Sequence, residues 1–106
     1  MALGRGREYN NKLMKVNAKE IITNNWNMLV PWYLMSSYLY YKKDTNILPD
    51  EDYDWICKEL DSRWDTIKHL HKHLVDRNML SAGTGYSLRH YPDRVKSAAI
   101  LLLERS

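Results

Sequence analysis

WYLMSSYLYYKKDTNILPDEDYDWICKEL, residues 32–60, decides how this chain folds. Its first half is aromatic and aliphatic at helical spacing: Leu34, Met35, Tyr38 and Tyr41 share one helical face, and Tyr33, Ser37 and Tyr40 a neighbouring one. The pattern predicts a helix over about residues 32–43, with Lys42 and Lys43 at the C-terminal end, where cations suit the helix dipole. Pro31 fits the first turn of that helix and disfavours helix at Val30, so an earlier helix is expected to end there. Thr45 to Pro49 reads as a loop. Asp50 then reads as the N-cap of a further helix reaching about Ser62, with Glu51 and Asp52 in its electropositive first turn.

The flanks repeat this helical grammar. Residues 1–12 hold two glycines and little apolar content and are expected to be flexible. Asn17 and Glu20 have capping-box spacing, Val16 and Ile21 the staple positions, and Ile21, Ile22, Trp26 and Leu29 form a stripe over about 18–29. Trp64, Ile67, Leu70 and Leu74 predict a helix over about 63–76. A loop over 79–88, punctuated by Gly83 and Gly85, precedes a last helix that begins at Tyr91-Pro92-Asp93. Its apolar face uses Val95, Ala98, Ala99, Leu102 and Leu103. Nothing alternates with period two. The expectation is an all-α fold, a small single-domain bundle of four to five helices spanning 1–106.

Composition sets the outer bounds. The 106 residues are 44% hydrophobic, which argues against disorder and allows one modest core. Phe is absent, so eight tyrosines and four tryptophans supply the aromatic volume. There is no apolar run near membrane-spanning length, and MALGRGREYN does not read as a secretory signal. The single Cys57 has no internal disulfide partner and fits a reducing, cytoplasmic setting, the host cytoplasm if the chain is viral. The net charge of +3 conceals an acidic centre at residues 50–65 between basic ends. Those ends suit nucleic acid, an acidic partner or ordinary solubilising charge.

Chemistry concentrates where the rings meet the acids. Tyr40, Tyr41 and Tyr53 flank the loop, and Asp50, Glu51, Asp52 and Asp54 crowd beside Tyr53. Flat rings stack on flat ligands, and carboxylates accept hydrogen bonds from amide or ribose hydroxyl donors. Tyr38-Leu39-Tyr40-Tyr41, then Asp44, then Pro49-Asp50-Glu51-Asp52-Tyr53-Asp54 resembles, without a gap, the pattern of the small N-terminal helical domain, Ia, of bacterial NAD-dependent DNA ligases. The resemblance covers residues 38–60, about a fifth of the chain. It implies that Tyr40 and Tyr53 flank a nicotinamide ring and that Asp50 and Asp54 bind the mononucleotide half of NAD. In the family that half leaves when a lysine of the adenylation domain attacks the adenylyl phosphorus.

Two departures limit what the resemblance implies. The family has a histidine near the mononucleotide phosphate where this chain has Tyr41, which cannot become a cation near neutral pH. The Lys-x-Asp-Gly motif that carries the ligase nucleophile is absent, so no catalytic residue is expected here. The implied role is recognition of NAD or nicotinamide mononucleotide, as small subunit or accessory to a separate nucleotidyltransferase in DNA replication and repair. Small separate proteins of this kind are expected of bacteriophage genomes. Two other readings stay open: a non-catalytic binder of a nicotinamide nucleotide or host protein, and a DNA-associated accessory protein.

Three further motifs have bland explanations beside the sharp ones. His69 and His73 would share a helical face, but with no evident third ligand a surface cluster is favoured over zinc, and no metal site is expected. Residues 81–86, SAGTGY, would expose amides to a phosphate but lack Walker spacing, and a plain turn is favoured. Arg89, Arg94 and Lys96, with His90, are candidates for nucleic-acid or anion contact, against an ordinary solvated face.

Overall fold

Apart from Pro31, every residue from Leu29 to Leu39 is buried, including Ser36 and Ser37. A helix apolar all round has no solvent face to present and becomes the axis on which other elements are laid. The computed structural model describes residues 18–105. They form α1 (18–24), α2 (Leu29–Lys42), α3 (Asp50–Ser62), α4 (Arg77–Ser81) and α5 (Asp93–Arg105), with no strand among the described residues. The fold is all-α. The central α2 packs against α3 and α5, and α3 against α4. The flexibility expected of 1–12 and the cap at Asn17 fall outside the described residues.

The first helix stops earlier than its apolar stripe predicts. The Asn25 N–H donates to the Ile22 carbonyl at 3.0 Å, while the Asn25 side chain accepts the Asn27 N–H at 3.2 Å. Asparagine competes for backbone groups in this way and favours caps over helix interiors. A single 3-10 turn, Trp26–Met28, leads into α2. Pro31 therefore lies in the first turn of α2, where no intrahelical donor is needed, and the break comes at Asn25 instead.

The helix expected over 63–76 is replaced by two 3-10 turns, Trp64–Thr66 and Lys72–Leu74, with extended backbone at Ile67 and Val75. Tertiary partners override the local pattern here. The Lys68 N–H donates to Asn27 Oδ1 at 2.8 Å, and Lys72 Nζ donates to the Trp64 carbonyl at 2.7 Å. The Arg63 guanidinium lies 3.5 Å from the Trp26 ring centre, and Trp26 meets Trp55 with centroids 6.0 Å apart. The loss of helix also dissolves the presumed shared face of His69 and His73. His69 and His71 are the pair in contact, rings 5.4 Å apart, and burial followed by His71 lowers the His69 pKa.

The last helix follows its predicted stripe. Val95 and Ala99 are buried, and Ala98, Leu102 and Leu103 are partly buried against the core. Among the described residues no helix is long and apolar enough to cross a membrane. Leu34 is fully buried in α2, whereas Leu70 is 73% exposed despite its place in the predicted stripe. Leu34→Ala is expected to cost about 2–5 kcal/mol and Leu70→Ala at most about 0.5 kcal/mol, as read from urea denaturation midpoints.

Candidate functional site

The turn that joins α2 to α3 sets the geometry of the site. Asp44 takes the left-handed conformation, φ 54°, which aspartate tolerates better than most side chains. The N–H groups of Lys43 and Thr45 both reach the Leu39 carbonyl, at 3.1 and 3.0 Å. This hook ends α2 and reverses the chain. It gives a local structural job to the aspartate in the ligase-like pattern.

α3 then starts without the expected cap. Pro49, extended at ψ 157°, occupies the cap position, and its carbonyl accepts the Asp52 and Tyr53 N–H groups at 3.0 and 3.2 Å. Asp50 is the first helical residue and makes no capping bond. The reason is steric as well as local: a residue before helix and after Leu48 with proline's fixed φ of −63° already holds the entry conformation. The Asp50 carboxylate is thus not consumed by the helix end.

α2 and α3 enclose a cleft of about 220 Å³. From α2 come Ser36, Tyr40 and Tyr41; from the connecting loop, Asn46 and Leu48. From α3 come Asp50, Tyr53 and Asp54, and Gly83 closes the far side. The five residues singled out by sequence, Tyr40, Tyr41, Asp50, Tyr53 and Asp54, therefore line one cavity. Arg89, Arg94 and Lys96 do not line it; they are exposed around the start of α5 and, among the described residues, make no ion pair.

Each ring has its own environment. Tyr40 is 52% exposed and meets Tyr41 edge-on, with centroids 4.8 Å apart. Tyr53 is half-buried, stacks on the buried Tyr33 at 5.9 Å, and exchanges a hydrogen bond with Ser37 Oγ at 2.8 Å. The Tyr41 hydroxyl is bonded to Thr84 Oγ1 and accepts the Gly85 N–H at 3.5 Å. The acids diverge too. Asp54 pairs with exposed Lys58 at 2.8 Å, whereas the buried Asp52 turns away toward Lys19 at 3.5 Å.

Residues 83–86 are more than a plain turn. The Tyr33 hydroxyl donates to the Thr84 carbonyl at 2.7 Å. Gly83 has φ +69°, and a Cβ there would lie 3.2 Å from Asp54 Oδ1. A Cβ on Gly85 would lie 2.6 Å from Ser37 Oγ and 3.0 Å from the Tyr53 hydroxyl. Gly85 permits the loop to lie directly on Ser37 and Tyr53, and Gly83 supplies the left-handed turn beside Asp54, requirements unrelated to phosphate binding. The loop and Ser36 were not assigned to the site from sequence. The traces were the serine pair inside an apolar helix and the Gly-Thr-Gly run. Ser36 is 4% exposed, and its buried hydroxyl has no hydrogen-bond partner among the described residues.

Scans of protein-family models, curated proteins and solved structures each found no match to this chain.

Burial dominates the ionisation of the groups behind the cleft. It pushes the Cys57 thiol up to about 12, with Asp54 adding to the effect. Burial also raises the hydroxyls of Tyr33 and Tyr53 well above the ordinary tyrosine value, and Tyr91 up to about 12. The unfolded chain releases these protons near pH 9 to 10, and the folded chain holds them, so folding stability is intact below pH 9 and falls as pH rises toward 12. Unfolding free energies from denaturant titrations across that window should drop by up to about 1.4 kcal/mol per pH unit for each such group. A flat profile from pH 9 to 11 would show that the tyrosines and Cys57 are not sealed.

Proposed function

We propose that this chain is a nicotinamide-nucleotide-recognition module that serves as small subunit or accessory of a split NAD-dependent DNA ligase and is not catalytic alone. The observation that carries the reading is convergence: residues selected by a sequence pattern, Tyr40, Tyr41, Asp50, Tyr53 and Asp54, line a single cleft. Tyr53, backed by Tyr33, and the exposed Tyr40 offer aromatic surface to a pyridinium ring. Asp50 and Asp54 supply negative charge and accept ribose hydroxyls. The covalent step belongs to a nucleotidyltransferase partner, because its Lys-x-Asp-Gly lysine has no counterpart in this sequence.

A second reading, a nucleotide binder with no part in ligation, is favoured by one feature. The Tyr41 hydroxyl is committed to Thr84 and Gly85, so this position holds the loop where the ligases have a histidine near the phosphate.

The test is transfer of label from NAD to a candidate nucleotidyltransferase, with and without this chain. Tyr40→Ala and Asp50→Asn are the informative variants, since both side chains are exposed and neither makes a bond that holds the fold. On the ligase reading the chain stimulates adenylation, and each variant lowers that stimulation by about tenfold, equivalent to about 1.4 kcal/mol. Variants indistinguishable from the parent chain would sink the cleft as the site. NAD binding without stimulation would leave the second reading.

A further inference from the structure

We infer that the cleft admits the cationic pyridinium nucleoside part of its ligand and keeps the phosphate outside, an inference that rests on the nucleotide-recognition reading and sharpens its ligand class. The charge of the lining is the first reason. Among the described residues the cleft presents two carboxylates, Asp50 and Asp54, and no lysine, arginine or histidine. The ammonium beside Asp54 is Lys58, already paired at 2.8 Å and outside the lining. A phosphate drawn in here would meet two like charges, only one of which, Asp54, is offset by a cation, whereas a positive ring gains from Asp50, which has no ion pair among the described residues, and from the tyrosine faces.

The N-terminal end of α3 does not reverse this balance. Helix starts attract anions through free amides and the dipole. This one carries Asp50, Glu51 and Asp52 in its first turn, and the Asp52 and Tyr53 amides return to the Pro49 carbonyl. The Tyr41 hydroxyl, a group that could donate to a phosphate, is tied to Thr84 and Gly85.

Size and polarity agree with the charge. About 220 Å³ is below the roughly 300–1,000 Å³ typical of pockets for larger ligands, so the cleft suits a ring and sugar better than a dinucleotide. The other polar residues of the wall, Ser36, Asn46 and the tyrosines, are uncharged side chains, which suit an amide or hydroxyl group. The phosphate is left at the mouth, to be met by solvent or by cations of another chain.

Calorimetric titration of the full chain at low salt tests this with three probes: nicotinamide riboside, nicotinamide mononucleotide and uncharged nicotinamide. The riboside should bind about fivefold or more tightly than the mononucleotide, with nicotinamide weakest. Asp50→Asn, checked for unchanged circular dichroism, should weaken the riboside and narrow the gap, as should added salt. Mononucleotide binding as tight as riboside, or a gap indifferent to Asp50→Asn and to salt, overturns the phosphate exclusion while leaving nucleotide recognition in place. No binding of any probe at millimolar concentration overturns the inference together with the reading beneath it.

Discussion

Several tyrosines in this chain bury their rings while their hydroxyls still need partners, and that demand shapes the region around the cleft. A buried hydroxyl without a partner costs about 1–3 kcal/mol, so the rings can enter the core only where acceptors and donors reach them. Residues 84–85 meet the need of the fully buried Tyr33 and bind the more exposed Tyr41 as well. The Thr84 carbonyl takes the Tyr33 hydroxyl, the Thr84 side chain bonds Tyr41, and the Gly85 amide points to Tyr41 as well. Ser37 satisfies Tyr53 from within α2. One segment thereby fastens α2, positions the ring of Tyr41, and leaves Gly83 as a wall of the cleft. Tyr91, buried against Tyr38 at 5.3 Å, has no hydroxyl partner among the described residues.

The acidic run from Asp50 to Asp54 divides its labour by helical phase. Asp52 is buried on the side facing α1 and joins Lys19, while Asp50 and Asp54, four apart, lie on the cleft side. Glu51 is exposed between them. Clustering in sequence overstated the charge density of the site and understated its direction. Two carboxylates on one face, beside two or three rings, form a narrower and more selective surface than four acids in a row would suggest.

The elements that were legible are those whose signals are local. α2, α3 and α5 follow from apolar spacing and a proline at each helix entry, joined in α3 and α5 by acids in the first turn. The helix expected over 63–76 was lost to long-range partners that leave no periodic trace. Asn27 takes the backbone of Lys68 from 41 positions away, and Arg63 lies on Trp26, so the stripe through Ile67 and Leu70 never winds into a helix. The site divides the same way. Tyr40, Tyr41, Asp50, Tyr53 and Asp54 lie within 15 consecutive residues and could be read as a group. Thr84 reaches Tyr41 across 43 positions, and the orphan hydroxyl of Ser36 is visible only once the helix around it is seen to be buried.

The close seating of Gly85 on Ser37 and Tyr53 has a further consequence. A loop that fits its support this tightly has little freedom left to lose. Ordering a flexible segment on association typically removes part of the gross interaction free energy, and a ligand entering this cleft avoids most of that loss on the Gly83 side. Its remaining conformational cost falls on Tyr40, the exposed ring at the mouth. The cleft is thus closely packed at its back and open at its entrance, where the exposed rings of Tyr40 and Tyr41 stand.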